Sequence, residues 1–206
     1  MQRVLIIFVR NPELGKVKTR LSATLGNEQT LDIYRFLLEK TRQTAEYLDI
    51  ERLLFYSEKI QVSDAWSDLL YVKQLQDSGD LGQRMHHAFA TAFRMGAEKV
   101  VIIGSDCPTL DGIILQSAFE ALDHHDFVLG PTPDGGYYLL GMKYLEASLF
   151  EGIAWSTGTV KETTLLKIKS LQKSCGLTPM LSDIDTESDW NNYLNDKTQT
   201  WQKYSL

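Results

Sequence analysis

The chain has 206 residues, of which 43% are hydrophobic and 23% are charged, and its formal net charge at pH 7 is −6. This length allows one well-buried domain or two small ones, and the composition is ordinary for a soluble globular protein. The acidic balance argues against a general nucleic-acid binder, which carries a basic surface. The apolar run at residues 4–9 is too short for an export or membrane segment. Its two cysteines form neither a metal-binding spacing nor a disulfide framework, so a reducing cytoplasm is the expected compartment.

The hydrophobic pattern predicts strands that alternate with helices. Continuous apolar runs at 4–9 and 100–103 indicate strands that are covered on both faces. Further strands are expected at 52–56, 69–75, 126–130, 137–142 and 177–181, and helices at 28–48, 81–94, 110–122 and 159–174. This alternation predicts one three-layer α/β/α domain over residues 1–206, with a mostly parallel twisted sheet. The Asp-Gly turn before residue 137 is a hairpin signal and predicts one antiparallel strand.

The strand at residues 100–103 delivers an acid at its carboxyl end. It ends at Gly104, and Asp106 follows directly. In open α/β sheets, ligands bind outside the carboxyl ends of the strands. A carboxylate there is suited to hold a metal ion against a phosphate group. The sequence therefore predicts Asp106 as the centre of the site.

A basic segment, residues 10–21, follows the first strand. It carries Arg10, Lys16, Lys18 and Arg20 in an otherwise acidic protein. A solvated loop is one interpretation of such a charge run, but its place at the carboxyl end of a strand favours phosphate binding. The segment has neither the P-loop spacing nor the GxGxxG spacing.

Asp80 and Arg84 stand at the start of the helix expected at 81–94, and both are candidates for nucleotide binding. A helix N-cap is an equally good interpretation of Asp80. The alternative for Arg84 is a side chain that simply faces solvent.

Glycines and aromatic residues mark the expected acceptor side of the site. Gly135 and Gly136 allow a close backbone approach to a ligand, and Tyr137 would supply an aromatic wall. A plain hairpin explains the same residues. Trp155 and Ser156 either line the acceptor side or only anchor their loop.

Five segments in this order resemble the GT-A-fold nucleotide-diphospho-sugar transferase superfamily. They are KVKTRL at 16–21, GDLGQRM at 79–85, GSDCP at 104–108, GPTPDGGYYLLG at 130–141 and DIDTESDW at 183–190. The resemblance spans nearly the whole chain and is closest to a branch of bacterial radical-SAM/selenodomain-associated transferases, which are regarded as glycosyltransferases. A weaker likeness is to nucleotidyltransferases such as phospholactate guanylyltransferase and molybdenum-cofactor cytidylyltransferase.

The resemblance implies a Rossmann-like GT-A fold in which the first loop grips nucleotide phosphates. It also implies that the Asp after the central strand, Asp106, binds Mg²⁺ or Mn²⁺. Many members carry a DxD pair at that point, whereas this chain has Ser105 and Cys107 on either side of one Asp. The second acid is therefore expected from Asp185, with Asp134 as the next candidate. The predicted catalytic residues are Asp106, Asp134 and Asp185, and the predicted metal ligands are Asp106 and Asp185.

Three functions fit these residues. The first is a metal-dependent transferase acting from a nucleotide-activated donor, most simply a glycosyltransferase that uses a nucleotide-diphospho-sugar and a small-molecule acceptor. The second is a nucleotidyltransferase that joins an NTP to a phosphorylated acceptor and releases pyrophosphate, since four cations suit a triphosphate better. The third is a nucleotide-binding protein without catalysis, which the missing DxD pair motivates. Cys107 is expected to be a small buried residue rather than a nucleophile, and none of these patterns bears on the oligomeric state.

Overall fold

The computed structural model describes residues 2–203, with side chains described through residue 196. Strands in this part of the chain form one seven-stranded sheet: β1 Arg3–Val9, β2 Glu51–Tyr56, β3 Val72–Leu75, β4 Lys99–Ile103, β5 Phe127–Pro131, β6 Tyr137–Met142 and β7 Cys175–Leu177. The α-helices are α1 Thr19–Leu25, α2 Asn27–Glu46, α3 Leu81–Arg94, α4 Gly112–His124, α5 Val160–Ser170 and α6 Glu187–Lys203. None of the helices in this range is long and apolar enough to cross a membrane.

The sheet is mostly parallel, as the sequence predicts. Its strand order is β3-β2-β1-β4-β6-β5-β7, and β6 runs antiparallel to both of its neighbours. The other neighbouring pairs run parallel. The chain passes from β1 to β2 on one side and returns to β4 on the other, so the strand order reverses between β1 and β4. Such a switch point is where open α/β sheets bind their ligands.

Helices cover both faces of the sheet because the central strands present apolar side chains to each face. In β1, Leu5 and Ile7 enter a core that also contains side chains of α2 and α4. Val4 and Ile6 alternate with them and enter the opposite core, with side chains of α3 and α5. All four side chains are fully buried. This arrangement confirms the three-layer α/β/α fold and explains why β1 is apolar without interruption.

A third, smaller cluster holds the basic segment in place. Val17 and Leu21 from that segment pack there with Leu37 of α2, Ile184 and Tyr193. The cluster therefore joins the chain after β1 to the chain near residue 184. Two stretches that are far apart in sequence meet at one edge of the sheet.

Several boundaries differ from the sequence prediction. A loop is predicted over residues 10–21, but α1 begins inside it because Leu21 is buried in the third cluster. The strand predicted at 69–75 shortens to β3. The helix predicted at 159–174 ends at Ser170, and Gln172 then takes a left-handed φ of 56°. The strand predicted at 177–181 forms instead at 175–177, where it pairs with β5.

Candidate functional site

A cleft of about 770 Å³ opens at the carboxyl ends of β1 and β4. Its walls come from the basic segment, the turn after β4, the β5–β6 hairpin and the chain at residues 183–185. Most of the residues predicted for the site line this cleft: Arg10, Lys16, Lys18, Arg20, Arg84, Asp106, Asp134, Gly136, Tyr137, Trp155, Ser156 and Asp185. The structure thus gathers segments from the whole chain around one space.

An ion-paired cluster lies at the centre of the cleft. The Lys18 ammonium donates to Asp106 Oδ2 at 2.9 Å and to Asp185 Oδ1 at 2.8 Å. The two carboxylates therefore converge on one point. Burial alone would lower the pKa of Lys18, but the charges of Asp106 and Asp185 outweigh it and raise the pKa above its ordinary value. Lys18 is accordingly a permanent cation between two acids.

Asp185 reaches this point because its neighbour Ile184 is anchored twice. The Ile184 amide donates to the Asp106 carbonyl oxygen at 2.9 Å. Its side chain is buried in the third cluster. Side chains alternate along extended chain, so Asp183 and Asp185 both point away from that cluster and into the cleft. Immediately after them, Thr186 and Asp189 exchange the hydrogen bonds of a helix cap and begin α6.

Asp183 is a cleft residue that the sequence prediction leaves out. Its Oδ1 atom is buried and has no hydrogen-bond partner among the described residues. Burial, followed by the negative charge of Asp106, raises the pKa of Asp183 well above its ordinary value. The alternation of Asp183 and Asp185 along the chain is the sequence signal that both point the same way. The burial of Asp183 depends on packing between distant segments, which no local pattern reveals.

Tyr34 is a second residue that the sequence prediction misses, since it looks like an ordinary core position of α2. Its hydroxyl accepts from the Arg10 amide at 2.8 Å and donates to the Arg10 carbonyl at 3.1 Å. The same hydroxyl lies 3.3 Å from Ser105 Oγ. Tyr34 thereby ties the start of the basic segment to the turn that carries Asp106.

The other cations of the basic segment lie near the mouth of the cleft. Arg10 and Arg20 are exposed, and Arg20 lies 4.0 Å from Asp185 Oδ2. Lys16 is exposed and pairs with Glu13 at 2.7 Å. These side chains are free to meet an anionic ligand, because exposed ion pairs of this kind are weak.

The Asp80 carboxylate caps α3. It accepts from the Gln83 amide, and the Gln83 side chain accepts in return from the Asp80 amide. This confirms the capping interpretation, and the cleft lining does not include Asp80. Arg84 does line the cleft, where it donates to Gln76 Oε1 at 3.2 Å.

The side of the cleft that the sequence predicts for the acceptor is built by two loops in direct backbone contact. Asp134 accepts from Thr132 Oγ1 at 2.5 Å and from the Gly136 amide at 3.1 Å, which closes the hairpin turn. Gly135 has a φ of +89°, and a Cβ there would lie 1.9 Å from the Gly158 carbonyl oxygen. Only glycine fits this crossing of the two loops. Gly135 therefore shapes this side of the cleft without lining it.

Trp155 both lines the cleft and anchors its loop. A Cβ at Gly82, in the first turn of α3, would lie 2.5 Å from Trp155 Nε1. The indole is therefore packed closely against α3. Ser156, next in the chain, has a left-handed φ of 63° and also lines the cleft.

Cys107 is buried, and burial, followed by the charge of Asp183, raises the pKa of its thiol to about 12. The thiol therefore stays protonated near neutral pH, which suits a packing residue rather than a nucleophile. We expect Cys107→Ala to keep nucleotide binding and turnover within about twofold of the wild type. A titration of binding and a rate assay check this, and a loss of more than about tenfold would give the thiol a chemical role.

The donor set suits a divalent ion that arrives with phosphate. Within the described residues, no group of three or more His, Cys, Asp and Glu side chains could hold a metal ion. Asp106 and Asp185 nevertheless converge on one cation, and Asp183 offers an unpaired buried oxygen beside them. Mg²⁺ commonly takes one or two protein carboxylates and completes its shell with phosphate and water. The residues therefore fit Mg²⁺ or Mn²⁺ as part of a metal–phosphate complex.

The sheet order, the reversed strand β6 and the cleft at the switch point define a fold of the nucleotide-diphospho-sugar transferase type. A structure from Desulfovibrio desulfuricans G20, named as a candidate nucleotide-diphospho-sugar transferase, is 33% identical with a TM-score of 0.81, over 90% of this chain and 84% of that one. Residues 40–157 match the model of the family described as "Uncharacterized protein conserved in bacteria" (DUF2064). The chain belongs to this family.

Two more distant relatives are named 2-phospho-L-lactate guanylyltransferase. The protein from Methanocaldococcus vulcanius is 23% identical over 143 residues, which are 68% of this chain and 61% of the relative. The protein from Methanobrevibacter smithii is 27% identical over 136 residues, which are 62% and 57%. The chain thus spans about three fifths of the length of these relatives. The superfamily resemblance is confirmed, while the narrower radical-SAM/selenodomain branch stays a prediction.

Proposed function

We propose that this protein is a nucleotide-dependent transferase that moves a nucleotidyl group from an NTP to a phosphorylated small-molecule acceptor and releases pyrophosphate. The observation that carries the proposal is the convergence of Asp106 and Asp185 on the ammonium of Lys18, within the basic segment. This arrangement lies at the carboxyl ends of the two central strands, where such folds take their ligands.

The chemistry follows from charge. When an oxygen of the acceptor phosphate attacks the α-phosphorus, negative charge grows on the departing pyrophosphate. Exposed Arg10, Lys16 and Arg20 would bind the phosphates and stabilise that charge. Asp106 and Asp185, with Asp183 at their side, would hold Mg²⁺ or Mn²⁺, which supplies further neutralisation at the phosphates.

The acceptor would occupy the side of the cleft between the hairpin turn and Trp155. Gly136, Tyr137, Trp155 and Ser156 line this side. The Asp134 carboxylate lies there too, but Thr132 and Gly136 hold it in the hairpin turn. Asp185, by contrast, shares the Lys18 ammonium with Asp106. We therefore favour Asp185 over Asp134 as the second acid.

Glycosyl transfer from a nucleotide-diphospho-sugar is the second candidate. The name of the 33% identical structure favours it. The sequence alone favours glycosyl transfer. We nevertheless favour nucleotidyl transfer over glycosyl transfer for two reasons. Four cations in the basic segment suit a triphosphate, and both curated relatives are named as guanylyltransferases.

A thermal-shift screen separates these functions. It uses the four NTPs and the common UDP-, GDP- and dTDP-sugars, each with and without Mg²⁺ or Mn²⁺. A ligand at about 100 times its Kd should raise the melting temperature by roughly 5 to 10 °C. We expect a metal-dependent shift with one NTP, followed by pyrophosphate release once a phosphorylated acceptor is added.

Other outcomes of the screen have definite meanings. A shift with one sugar nucleotide and little with its NTP favours glycosyl transfer. A shift without metal, and without turnover of any acceptor, indicates a binding protein. No shift with any ligand would contradict the phosphate site and leave the basic segment as a solvated loop.

A further inference from the structure

Lys18 differs from the other cations of the basic segment. Its side chain is 10% exposed, whereas those of Lys16 and Arg20 are 61% and 78% exposed. Its backbone has a φ of 45° and a ψ of 53°, in the left-handed region, at the start of α1. This conformation is costly for a residue with a Cβ and persists only where the surroundings hold it. Val17 and Leu21, on either side of it, are buried in the third cluster and fix the chain at this point.

The Lys18 ammonium and a divalent ion cannot share this position. The ammonium lies 2.9 Å from Asp106 Oδ2 and 2.8 Å from Asp185 Oδ1, which are full charge-assisted hydrogen bonds. A divalent ion bound to the same two oxygens at about 2.1 Å would overlap sterically with the ammonium. The two cations would also repel each other strongly in a partly buried cleft. Binding of a divalent ion to these two oxygens therefore requires the ammonium to move away.

We propose that Lys18 is an exchangeable internal counter-ion, whose ammonium neutralises Asp106 and Asp185 until a divalent ion displaces it. This inference rests on the carboxylate pair assigned to the metal in the proposed function. It does not depend on which group is transferred.

The side chain is suited to such an exchange. Lysine carries a compact charge on a flexible four-carbon stem, so its ammonium can swing while the backbone of α1 stays in place. The cleft is open towards the exposed end of the basic segment, where a nucleotide phosphate would accept the displaced ammonium. Metal alone provides no such acceptor. We therefore expect the metal to bind weakly without nucleotide, and the two ligands to strengthen each other's binding.

Titration of Mn²⁺ without nucleotide, followed by electron paramagnetic resonance of the free ion, tests the proposal. Lys18→Met keeps the stem and removes the competing charge, so we expect Mn²⁺ to bind at least about tenfold more tightly than to the wild type. Lys16→Met is the matched control, because it removes a cation of the same segment that contacts neither acid. Its Mn²⁺ affinity should stay within about twofold of the wild type. Adding Asp106→Asn to Lys18→Met should remove the gain, which assigns the tight site to the carboxylate pair.

A second measurement uses the unmodified protein, so it holds even if Lys18→Met fails to fold. The rate at which an amine-reactive reagent labels Lys18 is compared with and without saturating Mn²⁺, and Lys16 in the same sample is the reference. Displacement should raise the Lys18 rate at least about fivefold and leave the Lys16 rate unchanged. Equal Mn²⁺ affinity of Lys18→Met and wild type, or a Lys18 labelling rate that Mn²⁺ does not change, would overturn the proposal. Neither readout involves a nucleotide, so a negative nucleotide screen would leave this result standing.

Discussion

Replacing Asp106 with asparagine is expected to abolish metal-dependent nucleotide binding and to lower turnover by about a thousandfold or more. The amide keeps the shape of the side chain but loses the charge that pairs with Lys18. Asp185 alone would then face the cation. We expect the melting temperature without ligand to change by only a few degrees, because the sheet and the three clusters keep their contacts.

Asp32→Asn is the matched control for this variant. Asp32 lies on the exposed surface of α2 and pairs with Arg35 at 3.1 Å. The same chemical change there should leave binding and turnover unaffected. Binding titrations with and without metal, together with a rate assay, compare the two variants. An Asp106→Asn protein that still turns over at the wild-type rate would remove Asp106 from the site.

Gly135→Ala is expected to lower the free energy of unfolding by about 3 kcal/mol or more, and turnover by about a hundredfold. The added Cβ would meet the Gly158 carbonyl oxygen at 1.9 Å, so the two loops that cross here must separate. Trp155 and Ser156 would move with the second loop. Urea denaturation measures the stability, and a rate assay measures the effect on the acceptor side.

Gly26→Ala separates the clash from the cost of backbone conformation. Gly26 has a φ of +79°, close to the +89° of Gly135, but nothing lies within 4 Å of the position of its Cβ. Its φ of 79° and ψ of 165° lie in a region that only glycine adopts readily, so Gly26→Ala should lose about 1 to 2 kcal/mol, less than Gly135→Ala, and keep its activity. Equal losses in the two variants would mean that the loops do not depend on this crossing.

The fold is predictable because its signals are local and strong. Residues 4–9 and 100–103 are apolar without alternation, and the structure divides their side chains between two cores. The position of Asp106 follows directly, since a chain that leaves a central strand has its first polar residues at the edge where ligands bind. The antiparallel strand is predictable from the Asp-Gly turn that precedes it.

The inner geometry of the cleft is not predictable in the same way. That Lys18 meets Asp185 depends on Val17, Leu21 and Ile184 sharing the third cluster, which is a contact between distant segments. The start of α1 and the burial of Asp183 depend on the same packing. Likewise, β7 is placed by its pairing with β5 and not by the composition of its own residues. Such long-range contacts leave no trace in periodicity or propensity.

The hydrogen bond between Ile184 and Asp106 positions Asp185, and it can form only after the chain has been synthesised past residue 184. Strands β1 to β7 are complete once residue 177 has been added, so the whole sheet precedes the second acid in the chain. A nascent or clipped protein that ends just after β7 would have the strands, both large cores and Asp106, but no partner for Lys18 other than Asp106. The acidic pair is therefore completed only after the whole sheet, and a fragment with an intact sheet would still lack it.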